Sequence, residues 1–301
     1  MDIINGRILT MEDKIYECGY IRIRGEIIEE VGDMNDYKPQ NKPNRVLDVK
    51  KAWVMPGLIE SHAHIGITSV MVGPGSANVV GGQFLFMKTQ GRCIDHMVVK
   101  NPAAMKVAFG ENPKTVYGGK DVCPSTRMGI AALLRKTLYQ AKQYKEAKEK
   151  GTLQKDDFEI EPWLPVLNGE IPIKAHAHRA DDILTAIRIA KEYQVDMTFR
   201  TNAVLNDAGV LFSITTDHPV VMIQYLPFCA GLAVKEGLSL EEGLKAITIY
   251  PAKICRVDKR VGSLKKGKDA DIAIFTGNPM EIFTKTLFTI IDGKIVYENM
   301  P

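Results

Sequence analysis

Val54-Met55-Pro56-Gly57-Leu58-Ile59-Glu60-Ser61-His62-Ala63-His64 is the stretch on which the reading of this chain turns. An apolar run ending in two imidazoles reads as a strand, and side chains two apart on a strand leave by the same face. His62 and His64 can therefore present both rings to one ion. A bare His-x-His is more often an ordinary surface or core pair. The apolar strand before it, with Pro56-Gly57 beside it, shifts the balance toward a metal.

Two further constellations follow. Lys174-Ala175-His176-Ala177-His178 ends another predicted strand and runs directly into a helix; its plain reading is a solvated strand end. Two His-x-His pairs among only six histidines make coincidence less attractive. Imidazole nitrogen suits zinc, iron, nickel or copper, so ligand type alone does not choose the element. The third, Leu211-Phe212-Ser213-Ile214-Thr215-Thr216-Asp217-His218-Pro219, reads as a strand with Ser213, Thr215 and Asp217 on one face. A polar face at the C-terminal end of a strand is where barrel enzymes build their sites. Asp217 can ligate a metal and accept a proton there, or cap the helix that follows.

Outward from these blocks the pattern is α/β. Ile173 to His176 predicts a strand, with Asp181 or Asp182 as N-cap, Ile183, Ile187 and Ala190 as the buried stripe of a helix, and Val195 to Phe199 as the next strand. Ser125 is the expected N-cap of a long helix with Met128, Leu133, Leu134 and Leu138 inward and Gly151 as its stop. At the N-terminal end, Ile21 and Ile23 alternate with Arg22 and Arg24, and Gly25 turns into a second strand at Glu26, Ile27 and Ile28. Asp292-Gly293-Lys294-Ile295-Val296 echoes Asn5-Gly6-Arg7-Ile8-Leu9, each read as a turn dipeptide feeding a strand. The two ends are expected to share one small sheet, around a parallel core that is a closed barrel or an open sheet.

The 301 residues are 45% hydrophobic and 25% charged, with a net charge of +3 and no basic cluster. Nucleic acid and anionic membrane are thus poor candidates as partners, and a small uncharged or zwitterionic ligand is the easier one. Cys18, Cys93, Cys123, Cys229 and Cys255 form no C-x-x-C pair and read as reduced, mostly buried thiols. The start MDIINGRI lacks a signal pattern. The apolar stretch Val220 to Val234 is too short for a bilayer. The cytoplasm is the expected location, and a homo-oligomer is compatible with the sequence. The amides of Gly73-Pro74-Gly75-Ser76-Ala77-Asn78-Val79-Val80-Gly81-Gly82 could hold an anionic group or form a plain turn; without Gly-Lys-Ser/Thr the stretch is no P-loop. Arg127 and Arg179 are candidate carboxylate partners.

Taken together, Met55-Pro56-Gly57-Leu58-Ile59 with His62-Ala63-His64, His176, Thr216-Asp217, Tyr250-Pro251-Ala252, and Gly262-Ser263-Leu264 through Gly267-Lys268-Asp269-Ala270-Asp271-Ile272 resemble the amidohydrolase superfamily, in its imidazolonepropionase-like and prolidase-like branch. The resemblance implies a (β/α)8 TIM-like barrel over residues 56–257 and a small β-sandwich domain from residues 1–55 and 258–301. It implies His62 and His64 as first-strand metal ligands, His176 as the fifth-strand ligand, and Asp217 as both ligand and general base. The implied cofactor is a divalent metal, zinc first, as one or two ions; Lys106 is the candidate bridge for a second. His178, His218, Glu111 and Arg179 are the substrate-binding candidates. The implied reaction is hydrolysis of a C–N bond in a cyclic amide or small dipeptide; deamination of a ring amidine and a catalytically inactive scaffold are the alternatives. One feature departs: the family's sixth-strand histidine has no counterpart between His178 and His218. Eight strand–helix units also take ~250 residues, more than Met55 to Arg256 supplies. The expectation is that active-site loops are missing near Ile67–Thr68 and Phe199–Arg200.

Overall fold

The computed structural model describes residues 1–12, 14–39, 45–63, 68–177, 179–199, 211–218 and 220–299, without the side chains of His62, Ala63 and Phe199. The junctions at Ile67–Thr68 and Phe199–Arg200 lie outside the described residues. The strands are β1 (Asp2–Leu9), β2 (Ile15–Arg24), β3 (Ile27–Asp33), β4 (Val46–Asp48), β5 (Trp53–Pro56), β6 (Ile59–Ala63), β7 (Ser69–Val72), β8 (Val80–Lys88), β9 (Val98–Ala108), β10 (Ile173–His176), β11 (Met197–Phe199), β12 (Ile272–Phe275), β13 (Thr286–Ile291) and β14 (Lys294–Glu298). Interspersed helices make the chain α/β. It divides into two compact units: Met1–Met71 with Phe86–Val99 and Asn202–Pro301, and Val72–Leu85 with Lys100–Thr201.

The first unit is organised on an eight-stranded sheet in the order β14-β13-β12-β5-β1-β2-β3, with β4 also paired to β1. Strands from both ends of the chain meet where β12 runs antiparallel to β5, Ile272 opposite Pro56 and Phe275 opposite Trp53. Ile3, Ile8, Ile21, Val54, Ile274 and Ile290 are fully buried in its apolar cluster. The expected hairpin is β2–β3, turned at Gly25 with φ +62°. Asp292 and Gly293 both take positive φ between β13 and β14, the backbone of a primed hairpin turn. Asn5-Gly6 departs from expectation: it lies inside β1, where Asn5 has φ +59° and the register against β2 shifts on either side of Gly6. The dipeptide makes a bulge, a use of positive φ that sequence does not distinguish from a turn.

Lys88 at the end of β8, 3% exposed, donates to Asp269 (2.7 Å), Asp271 (3.1 Å) and Asp292. Burial opposes the ammonium charge, but Asp271, Asp269 and Asp292 outweigh it and hold Lys88 above its ordinary value. Burial pushes the Asp271 carboxyl up to about 6, against the pull of Lys88. This raised value fixes a sign. As pH falls through 6 toward the ordinary carboxyl range, the folded protein takes up a proton that the unfolded chain does not, so Asp271 adds stability on acidification. The gain is about 1 kcal/mol from pH 7 to pH 5 and about 3 kcal/mol in all. Urea unfolding of wild type and Asp271→Asn at both pH values is the check: the difference between them should move in favour of wild type by about that first amount at pH 5. An identical difference at both pH values would refute the assignment.

The second unit carries a parallel βαβ arrangement, β10 lying between β9 and β11. Met105, Val107, Ile173 and Ala175 on one face join a core with Leu134, Leu138, Ala186 and Ile189 from the helices Arg127–Glu149 and Ala180–Tyr193. The long helix is capped by Thr126, whose hydroxyl accepts from Gly129 N, rather than by Ser125. Met128 (80% exposed) and Leu133 (37%) face outward, because the stripe is set by Ile130, Leu134, Leu138 and Ala141. The next helix starts one residue before Asp181, at Ala180, so Asp181 and Asp182 sit in its first turn and favour its positive end. Its buried stripe runs through Ala186, Ile189 and Ala190, with Ile183 partly buried against it. Of the cysteines only Cys255 is buried; Cys18, Cys93 and Cys123 are exposed, contrary to expectation, and all five are free. No helix among the described residues is long and apolar enough to cross a membrane.

Candidate active site

In the first unit, β6 delivers the chain to His62-Ala63-His64. Its register is fixed from two sides. Ile59 N donates to Ile247 O (2.9 Å). On the other side the segment Ser213–Thr216 is held mainly by side chains: Ser61 Oγ and Ser213 Oγ are 2.7 Å apart, and Glu60 Oε2 accepts from both Thr216 N and Thr216 Oγ1 at 2.8 Å. Glu60 is completely buried. The residue just before Asp217 is thus tied to the residue two before His62. Glu60 was not read as a functional residue from sequence. Its signal was present: a lone carboxylate on an apolar strand, at the spacing that shares a face with His62 and His64.

Leu211–Pro219 was expected as a strand, but among the described residues Leu211–Thr216 lies outside any ladder, and one backbone bond, Ile214 N to Ala246 O (3.0 Å), supports it. It ends in a turn closed by Val220 N to Asp217 O and Val221 N to Thr216 O. Asp217 takes φ +56° in that turn. His218 Nδ1 and Thr215 Oγ1 are buried and have no hydrogen-bond partner among the described residues. Burial, with the Glu60 carboxylate adding to it, pushes the Cys229 thiol up, which argues against a thiolate nucleophile there.

In the second unit, His176 ends β10, is 6% exposed, and its carbonyl accepts from Phe109 N (2.8 Å). Ala175 belongs to the helix-facing core, so alternation turns Lys174 and His176 to the opposite face. Lys106 pairs with Lys174 in the parallel register and is fully buried; the two ammoniums lie 5.7 Å and 5.4 Å from the Phe84 ring centre. Lys106 is thus carried inward on β9, unlike most lysines, which lie at the solvated surface. Gly73 and Gly81 serve this packing. A Cβ on Gly73 would stand 2.1 Å from Phe84, and one on Gly81 2.8 Å from Lys106 Cγ.

The remaining candidates are on the surface. Glu111 is held below its ordinary value by hydrogen bonds from Lys114 and Arg127. Arg127 links it (2.7 Å) to Asp182 (3.1 Å), so this arginine already serves two carboxylates of the protein. Arg179 is exposed and pairs with Asp181 at 3.0 Å. His64 and His178, and the His62 side chain, lie outside the described residues. Among the described residues no three His, Cys, Asp or Glu side chains are grouped so as to hold a metal ion. Within the first unit the donor chemistry nevertheless suits one: the Asp217 carboxylate follows Thr215, whose Oγ1 is buried without a partner among the described residues, and precedes His218, whose Nδ1 is too.

Comparison with known proteins assigns the class. The chain belongs to the amidohydrolase family, whose model matches residues 139–296. It is 24% identical to amidohydrolase tasK from Hapsidospora irregularis over 78% of this chain and 31% of that protein. It is 21% identical to an adenine deaminase from Clostridium botulinum over 99% of this chain and 57% of the relative. This chain therefore spans 31% and 57% of the length of these two relatives. Among solved structures, an amidohydrolase from Thermotoga maritima superposes with a TM-score of 0.92 at 28% identity, covering 99% of this chain and all of that one. A prolidase complexed with N-methylphosphonate-L-proline gives 0.62 at 17%, covering 99% of both chains. An adenosine deaminase from Xanthomonas campestris with bound zinc gives 0.57 at 13%, covering 99% of this chain and 92% of that one. The last two show likeness of fold alone.

Proposed function

We propose that this chain is a metal-dependent hydrolase that cleaves the C–N bond of a cyclic amide or a small dipeptide. The observation that carries the reading is the pair of bonds from Thr216 to the buried Glu60 carboxylate. They support the reading because Thr216 directly precedes Asp217 and Glu60 lies on the strand that runs into His62 and His64. His62, His64, His176 and Asp217 are the proposed ligands, with Lys106 the candidate for a second ion. A zinc-like ion, when bound, supplies Lewis acidity, bringing water toward ionisation near neutral pH and polarising a carbonyl. Asp217 takes the proton of the attacking water on a carboxylate oxygen and returns it to the leaving nitrogen. Deamination of a ring amidine is the second reading, favoured by the similarity to adenine deaminases along nearly the whole chain.

Metal analysis of purified protein tests the proposal. One or two zinc ions per chain are expected, lost in His62→Ala together with turnover. Protein that binds no divalent ion after zinc loading would point to an inactive scaffold instead. Product analysis separates the two reactions: a purine or related amidine releases ammonia, whereas an amide or dipeptide releases a carboxylate and an amine.

A further inference from the structure

The turn from Thr215 to His218 holds features that a packed interior avoids. Asp217 sits in the left-handed region, which costs a residue with a side chain roughly 1–2 kcal/mol. Thr215 Oγ1 and His218 Nδ1 are withdrawn from solvent without a hydrogen-bond partner among the described residues. Each such buried group costs about 1–3 kcal/mol. The rest of the turn is satisfied: its backbone is closed by Val220 and Val221, and the Thr216 hydroxyl and amide both reach Glu60. A rigid turn with two unspent polar atoms on either side of a strained aspartate has the character of a binding surface.

We propose that Thr215 and His218 contact the substrate, donating from the hydroxyl and from Nδ1 to an oxygen of the group under attack. This rests on the hydrolase reading above. A hydroxyl and an imidazole N–H can each donate a hydrogen bond. They favour an oxygen that gains negative charge as the reaction proceeds, which is where fixed donors accelerate a reaction most. Neither residue is needed to hold the ion in this assignment, and that separates them from Asp217 beside them.

Inorganic phosphate, a tetrahedral oxyanion, serves as the probe. Calorimetric titration of the zinc-loaded full chain with phosphate compares wild type, Thr215→Val, His218→Ala and His218→Phe, with zinc content measured in each. The expected result is unchanged zinc and a phosphate dissociation constant raised roughly tenfold or more by each substitution. Wild-type affinity in the variants overturns the proposal, as does loss of zinc from the His218 variants, which would make His218 a ligand of the ion. Zinc-loaded wild type that ignores phosphate also overturns it. Wild type that takes up no zinc overturns the hydrolase reading instead, and does so before any phosphate is added. Thr215→Val, nearly isosteric, decides the matter if a His218 variant fails to fold.

Discussion

Asp217→Asn is expected to lose turnover by roughly 10²–10⁴-fold while most of the metal stays bound. The asymmetry follows from the donors that remain. On the proposed assignment His62, His64 and His176 remain, and three imidazoles are enough for a zinc-like ion with water in the open position. Asparagine keeps the shape of the turn, and Asn is among the few residue types that tolerate the left-handed backbone found at this position. The group lost is the one proposed above to take a proton from water and give it to the leaving nitrogen. His62→Ala should instead lose metal and turnover together. Steady-state rates and zinc content, measured on the same preparations, check both statements. Near-normal turnover in Asp217→Asn with full metal would assign the base elsewhere.

Lys88→Met should destabilise the fold by about 3–5 kcal/mol at pH 7, the cost of leaving buried charges without their partner. Removing the ammonium leaves Asp269, Asp271 and Asp292 facing one another. Arg260 reaches Asp269 at 2.7 Å, so Asp271 and Asp292 bear most of the loss. The deficit should shrink in Lys88→Met/Asp271→Asn, because one of the stranded charges is gone. Urea unfolding of the three proteins gives the numbers. A single variant within 1 kcal/mol of wild type, or a double variant worse than the single, would show that this cluster is not what fastens the end of β8.

Local pattern carried much of the fold. Ile173–His176 was legible to the residue because a short apolar run before a helix has few other uses, and the β2–β3 hairpin because its alternation and Gly25 agree. What escaped depends on residues far along the chain. Asn5-Gly6 bulges because of its position against β2. Leu211–Thr216 has the composition of a strand, yet bonds to Glu60, Ser61 and Ala246 hold it without a ladder. In the long helix Leu134 and Leu138 were read inward and are buried, whereas Met128 and Leu133 face outward and Ile130 and Ala141 complete the stripe. Of the residues around the candidate site, sequence reading passed over Glu60, whose meaning lies in Thr216, 156 residues away.

The junction of β5 with β12 bears on how the protein is made. More than two hundred residues separate these paired strands, so β5 emerges from the ribosome long before its partner exists. β1 can cover one side of β5 early, but the other edge stays open until β12 has been synthesised. An open edge on an apolar strand is a template for pairing with other chains, and closing so long a loop is slow. A chaperone that shields Trp53–Pro56 during synthesis should therefore raise the yield of folded protein more than any change at the active site.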